Sequence, residues 1–185
     1  MRRLNIDTAA SIPDLQIIAQ RRVPSFAFTY LDEGAGAGRG VLRNQQAFDP
    51  ILLAPRRLRP APASMATTVF GRTYNAPFGS APVGLANLAW PGTDLAIARL
   101  AARENFPLVL STAATTDVET IANVAGGVTW FQLYPARDVA VTDDLLRRAE
   151  AAGITVLVVT VDVPQSARRQ RSIRQRVSVP FRFTP

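Results

Sequence analysis

Four stretches of the chain share one pattern, an apolar run that ends abruptly in polar residues. The clearest is 154–176 (ITVLVVTVDVPQSARRQRSIRQR), a β-branched run closing on Thr160 and Asp162 before an arginine-dense segment. Residues 77–84 (PFGSAPVG) end in a Pro/Gly loop, 107–112 (PLVLST) in two hydroxyls, and 129–134 (TWFQLY) in an amide and a phenol. Near-continuous apolar runs suit strands buried on both faces of a parallel sheet, with a site built at their C-terminal ends. The pattern predicts strands over 77–84, 107–112, 129–134 and 154–161.

Between these runs the period changes to that of a helix. Residues 92–104 place Leu95, Ile97, Ala98, Ala101 and Ala102 on one face, 118–124 read as a short helix, and 142–152 as a helix opened by Thr142 and closed by Gly153. Upstream, 11–22 starts at Ser11 with Asp14 as its capping partner, and 24–33 runs into a cluster of Gly34, Gly36 and Gly38. Residues 40–48 add a turn or two. The Pro- and Arg-rich 51–71 suggests an extended arm or hairpin covering one end of the core. Alternating strands and helices imply right-handed crossovers and a parallel sheet. Neither GxGxxG nor GxxxxGK[ST] follows a strand, so neither of those phosphate-binding openings is present.

Four such units are half of a (β/α)8 barrel, a fold of about 250 residues. The expected fold class is therefore α/β: the N-terminal half, about four βα units, of a TIM barrel, preceded by short helices (1–48) and an extended arm (49–76). The half barrel occupies 77–185 of a single partial domain and stops in the loop after its fourth strand. A half barrel leaves two edges of an apolar sheet unpaired, so the sequence is expected to be the N-terminal portion of a longer enzyme.

Composition narrows the chemistry. At 185 residues and 48% hydrophobic content the chain can bury a sizeable core. It holds no uninterrupted apolar run near the roughly 18 residues of a membrane span, and Met1-Arg2-Arg3 lacks the apolar region of a signal peptide. There is no Cys, which excludes disulfides and thiolate chemistry and fits a cytoplasmic protein. There is no His, and all 21 basic residues are Arg. Imidazole general-base catalysis, lysine Schiff bases and the commonest metal ligand are thus excluded, and no metal site is expected. A net charge of +7 favours anionic partners. The arginines at 168, 169, 171, 174 and 176 lack interleaved aromatics for base stacking, which argues against nucleic acid.

The residues taken singly leave alternatives open. Gln132 and Tyr134 lie two apart on one side of a strand, yet Gln132 could serve structure alone. Ser111 or Thr112 could cap the following helix. Tyr30 reads as an ordinary half-buried helix residue, Asp162 as a loop-holder, and most of 168–176 as a solvated basic loop.

Taken together, Tyr30 in FTYLDEGAG, LRNQQAFD at 42–49, SAPVGLANLAWPGTD at 80–94, LSTAATTDVETIA at 110–122, WFQLY at 130–134 and TVDVPQSARR at 160–169 resemble a known family. It is the FMN-dependent α-hydroxy-acid dehydrogenase/oxidase family, which includes L-lactate dehydrogenase, mandelate dehydrogenase and glycolate oxidase. The resemblance implies FMN as cofactor and oxidation of a small L-2-hydroxy acid to the 2-oxo acid, with oxygen or a quinone as electron acceptor. It implies that Pro82, Val83 and Gly84 present backbone beside the flavin, and that Ser111, Gln132 and Thr160 hydrogen-bond its ring edge. Arg169 and Tyr30 then bind the substrate carboxylate, and Tyr134 the hydroxyl oxygen in a catalytic role. The family's general-base His, flavin-contacting Lys, second carboxylate Arg and FMN phosphate site lie in later strands, so this chain alone is expected to be inactive. Gly84 stands where many members have Ala, and Ala113 replaces a larger residue, which favours an aromatic or branched acid over glycolate. Relatives often form homo-oligomers, and membrane-bound ones anchor through the loop after strand four. That implies an acidic membrane surface as partner and a peripheral place on the inner face of the cell membrane. Two rivals remain: another FMN barrel, such as a type 2 isopentenyl diphosphate isomerase, and a non-catalytic membrane- or anion-binding protein using 168–176.

Overall fold

The computed structural model describes residues 5–55, 57–58, 64–162 and 167–176. The start of the chain, part of the expected arm (Arg56 and 59–63), residues 163–166 and the end from 177 onward lie outside the described residues. The chain divides into two compact units: Pro60–Pro164, a sheet unit, and Met1–Arg59 with Gln165–Pro185, a helical unit.

The sheet unit begins with an antiparallel hairpin, β1 (Thr67–Val69) and β2 (Arg72–Tyr74), with Thr67 opposite Tyr74. Its two turn residues, Phe70 and Gly71, have φ of 50° and 77°. Turns with both central φ positive match the twist of paired strands, and glycine adopts that geometry without strain. Three parallel strands follow in sequence order, β3 (Leu108–Ser111), β4 (Thr129–Leu133) and β5 (Leu157–Val159). Ser111 pairs with Gln132, and Gln132 with Val158.

The strand expected over 77–84 contracts to a single parallel bridge, Ser80 to Leu108. Ser80 N–H donates to the Pro107 carbonyl at 2.8 Å, and Val109 N–H donates to the Ser80 carbonyl at 3.0 Å. Pro77 and Pro82 have no N–H to extend the ladder, which confines the segment to an edge. At Gly79 a Cβ would lie 2.4 Å from the Pro107 carbonyl oxygen, so only glycine permits this approach.

Helices α4 (Ala86–Ala89), α5 (Thr93–Glu104), α6 (Val118–Ala125) and α7 (Val139–Ala151) complete the sheet unit. The short α4 was not anticipated. Helix α7 starts at Val139 because Asp138 caps it, accepting from Ala140 N–H at 3.0 Å. Thr142, expected as its opening residue, instead accepts from Ala136 N–H at 2.9 Å and ties down the preceding loop.

Alternation sets the two faces of the sheet. Leu108, Leu110, Phe131 and Leu133 share a buried core with Ala98, Ala101, Ile121, Ala125 and Ala149 of the crossover helices. Trp130, of the opposite parity, donates its Nε1–H to the Tyr74 hydroxyl at 3.0 Å and meets Phe70 edge-on with centroids 5.4 Å apart. The hairpin therefore packs over the N-terminal end of β4.

The helical unit holds α1 (Ile12–Arg22), α2 (Ser25–Asp32), α3 (Arg39–Gln46) and α8 (Gln170–Arg174). Ser11 and Asp14 form the expected capping box on α1. The expectation that 168–176 is mostly a solvated loop is met in exposure, since Arg168, Arg174 and Arg176 are exposed, but not in conformation. Residues 170–174 are helical, Ser172 is buried, and Arg169 forms a parallel bridge with Gly36. The cause lies on α2 and is described below.

Candidate functional site

The strand tips carry a continuous file of hydrogen bonds. Ser111 Oγ donates to Gln132 Oε1 at 3.1 Å, and Gln132 Nε2 donates to Thr160 Oγ1 at 2.8 Å. Gln132 is 1% exposed. It can turn its amide sideways across three strands because the parallel register puts Ser111 directly beside it and Val158, two residues before Thr160, on its other side. Thr160 N–H donates to the Leu133 carbonyl at 3.1 Å, continuing the ladder past β5.

Neither Ser111 nor Thr112 caps a helix. Ser111 Oγ accepts from Ala113 N–H at 3.1 Å, while the cap of α6 is Asp117, which accepts from Thr120 N–H at 2.7 Å. Thr112 Oγ1 donates to the Gln132 carbonyl at 2.6 Å and accepts from Tyr134 N–H at 3.0 Å. The backbone of Tyr134 is thereby fixed beside the same tips, and the residue is 44% exposed.

Pro82, Val83 and Gly84 form the turn between the Ser80 bridge and α4. Leu85 N–H donates to the Ala113 carbonyl at 2.9 Å, which draws this turn onto the tip of β3. A Cβ at Gly84 would meet the Ala113 Cβ at 3.1 Å. The two small residues thus lie against each other, and a methyl at 84 requires Ala113 to yield by a few tenths of an ångström.

Sequence reasoning missed a second polar cluster that ties these loops together. Asp94 is 7% exposed. Its Oδ2 accepts from Asn87 Nδ2 at 3.1 Å and from the Thr115 N–H and hydroxyl at 3.3 and 3.2 Å. Asn87 Oδ1 accepts from Asp94 N–H, and Asn87 Nδ2 also donates to Thr116 Oγ1. An acid in the first turn of a helix reads from sequence as a dipole partner. Nothing local shows that its carboxylate reaches the loop after β3.

Tyr30 and Arg169 are brought together in the helical unit, 139 residues apart in sequence. Arg169 Nη1 donates to the Tyr30 carbonyl at 2.8 Å, and its guanidinium carbon lies 5.2 Å from the centroid of the Tyr30 ring. A guanidinium has five donors, and this bond takes one. Gly36 N–H donates to the Arg168 carbonyl at 2.8 Å alongside.

Two carboxylates at the end of α2 hold this pair, and neither was anticipated. Glu33 accepts from Arg171 N–H through one oxygen. Its other oxygen accepts from Ser172 N–H at 2.8 Å and the Ser172 hydroxyl at 2.6 Å, so Glu33 caps α8. Asp32 accepts from Arg171 Nη1 at 2.6 Å. Burial pushes the Glu33 carboxyl up, but the donors of Ser172 and Arg171 and the Arg171 charge outweigh it and leave it below its ordinary value. The Arg171 hydrogen bond likewise holds Asp32 below its ordinary value, against a smaller opposing effect of burial. The signal available in sequence was only an acidic pair before a glycine cluster.

Parallel strands in sequence order, crossover helices and polar tips define the half of a (β/α)8 barrel that the sequence pattern predicts. The chain belongs to the FMN-dependent dehydrogenase family, whose family model matches residues 19–185. It is 40% identical to a putative L-lactate dehydrogenase of Mycobacterium tuberculosis over 97% of this chain and 44% of that protein. It is 35% identical to glycolate oxidase 1 of Zea mays over 94% of this chain and 47% of that protein. Among solved structures, mandelate oxidase superposes with a TM-score of 0.87 at 36% identity, covering 94% of this chain and 50% of that one. A soluble mutant of the membrane-associated (S)-mandelate dehydrogenase of Pseudomonas putida superposes with a TM-score of 0.85 at 34% identity, over 91% of this chain and 48% of that one. The chain spans about half the length of the relatives it matches.

Proposed function

We propose that this chain supplies one part of the active site of an FMN-dependent enzyme that oxidises an L-2-hydroxy acid of the lactate or mandelate type to its 2-oxo acid. The observation that carries this reading is the file Ser111–Gln132–Thr160. Its donors and acceptors are neutral, and Gln132 is buried, which suits the polar edge of an aromatic heterocycle better than a phosphate. One Nε2 hydrogen of Gln132 and the Thr160 hydroxyl hydrogen have no acceptor among the described residues, so the file has donors left for a ring edge. Bound FMN supplies the two-electron acceptor for the reaction.

In this reading Arg169 holds the substrate carboxylate as a fork and Tyr30 donates its hydroxyl to the same group. Tyr134 donates to the hydroxyl oxygen as it becomes a ketone. Pro82, Val83 and Gly84 offer backbone to the flavin face. With no His or Lys in the sequence, the base that removes a proton, and the group that steadies the flavin's charge, come from outside this chain. Reoxidation by oxygen or a quinone belongs to the same proposal, as do homo-oligomers and a peripheral place on the inner membrane face. No helix among the described residues is long and apolar enough to cross a membrane. Arg169 and Arg171 are engaged within the protein, which leaves less of the basic segment for the rival reading as an anion-binding surface.

The test is spectroscopic and kinetic. Purified holoenzyme is expected to be yellow and to bleach with L-lactate or (S)-mandelate. The small Gly84–Ala113 pair is expected to favour mandelate over glycolate by about 10-fold or more in kcat/KM, a ratio that Gly84→Ala reduces. A folded but colourless protein rejects the function, and equal turnover of glycolate and mandelate rejects the substrate preference.

A further inference from the structure

We propose that Glu33, seconded by Asp32, is a positioning residue for Arg169: a carboxylate latch that orders the arginine segment and sets the guanidinium against Tyr30. The inference rests on the reading of Arg169 as the ligand of the substrate carboxylate.

The geometry is specific. Arg169 is the residue immediately before α8, so its backbone direction follows from where that helix begins. A five-residue helix is too short to stand by its own hydrogen bonds. Its first N–H groups need acceptors, and Glu33 supplies both oxygens, to Arg171 N–H and to the Ser172 N–H and hydroxyl. Asp32, the residue before, takes the Arg171 side chain at 2.6 Å. Gly36, three residues after Glu33, bridges to Arg169 and takes the Arg168 carbonyl at 2.8 Å. Tyr30, three residues before Glu33, offers its carbonyl and ring to Arg169. Tyr30 and Gly36 thus hold 168–169, while Asp32 and Glu33 between them hold 171–172 through their carboxylates.

Hydrogen bonds to a charged group are the strong ones, and Glu33 collects three. Glu33→Gln keeps the shape, removes the charge and turns an amide NH2, itself a donor, toward donors. The Arg169 side chain itself is unaltered, so the damage reaches the substrate only through placement. A loosened guanidinium weakens the hold on the carboxylate while leaving the rate of the bound complex nearly intact, which appears as a raised KM with kcat preserved.

The experiment has two readouts on the holoenzyme. Limited trypsin digestion reports the latch directly, through cleavage after Arg168, Arg169 and Arg171. Steady-state kinetics with mandelate reports its consequence. For Glu33→Gln, cleavage at these sites is expected to rise about 10-fold, with cleavage after Arg148 unchanged, and KM to rise about 10-fold with kcat within about 2-fold. Asp32→Asn is expected to show the same direction at about 2- to 3-fold. If Glu33→Gln does not fold, Ser172→Ala removes one donor without touching the charge and is expected to raise KM by about 3-fold. Arg169→Leu is run in parallel. A large KM increase there with none in Glu33→Gln overturns the latch and leaves the carboxylate reading standing. An unchanged KM in Arg169→Leu overturns that reading and the latch with it. A fall of kcat and KM effects in step across the variants marks general damage and also overturns the proposal.

Discussion

A buried primary amide has two ends to satisfy, and at Gln132 the side chains of neighbouring strands meet both. Its Oε1 accepts from Ser111 and, at 3.4 Å, from Thr112 N–H, and its Nε2 donates to Thr160. Gln132→Leu keeps most of the volume but strands the Ser111 hydroxyl proton in a buried place, while Thr112 N–H keeps its 3.0 Å bond to the backbone carbonyl of residue 132. The expected cost is about 1–3 kcal/mol, read as a lower urea midpoint with an unchanged slope. The place of Gln132, Ser111 and Thr160 at strand ends was legible in the sequence because strand ends are local properties; their role at a flavin edge rested on the family resemblance. Asp94 and Glu33 were not. Their partners lie 21 and 139 residues away, and no window along the chain contains both ends of such a bond. The Gly84–Ala113 approach was invisible for the same reason, although each residue was noticed as small.

Helix α6 shows what an element contributes. It is short, capped by Asp117 and closed by Gly126, whose φ is positive at 62°, and it buries Val118, Ile121, Ala122 and Ala125. Ile121 is completely buried in the core behind β3 and β4. Ile121→Ala is expected to cost about 2–5 kcal/mol through lost contacts and a residual cavity, measured as a fall in the thermal midpoint. Such helices were readable from periodicity. The 77–84 segment and α8 were misread because their fate depends on partners. Two prolines limit the first to one bridge, whereas a distant carboxylate turns a basic loop into a helix in the second.

That carboxylate gives the helix a pH dependence of known sign. The folded state lowers the affinity of Glu33 for its proton, so the unfolded segment binds more protons wherever the two states differ. Its stabilisation is fully present above the ordinary glutamate value of 4.5 and is lost as pH falls through the lower folded value. Hydrogen exchange is expected to show the Arg171 and Ser172 amides protected from neutral pH down past 4.5, with protection failing only below it. Loss of protection between pH 7 and 5 counts against this coupling.

At the scale of the molecule, compactness does not follow sequence order. Pro60–Pro164 is continuous in sequence and holds the hairpin, the sheet and the crossover helices. The helical unit is assembled from the two outer parts of the sequence, Met1–Arg59 and Gln165–Pro185. The helices expected over 11–22, 24–33, 92–104 and 118–124 and the strands expected over 107–112 and 129–134 are present within a residue or two, because each follows from patterns a few residues long. How the elements divide into compact bodies depends on pairings such as Asp32 with Arg171 and Glu33 with Ser172.

Those pairings place a delay in the biosynthesis of the protein. A ribosome releases residue 33 long before residue 172, and the two are separated by 139 positions. At about 5–20 residues per second the interval is roughly 7–28 s, far longer than the microseconds in which a helix forms. Through that time α1 to α3 have been made without the segment that caps their arrangement, while the intervening sheet unit emerges in one piece. The last stretch of the arginine segment therefore acts as a clasp, closing the N-terminal helices only after the chain between them has been translated.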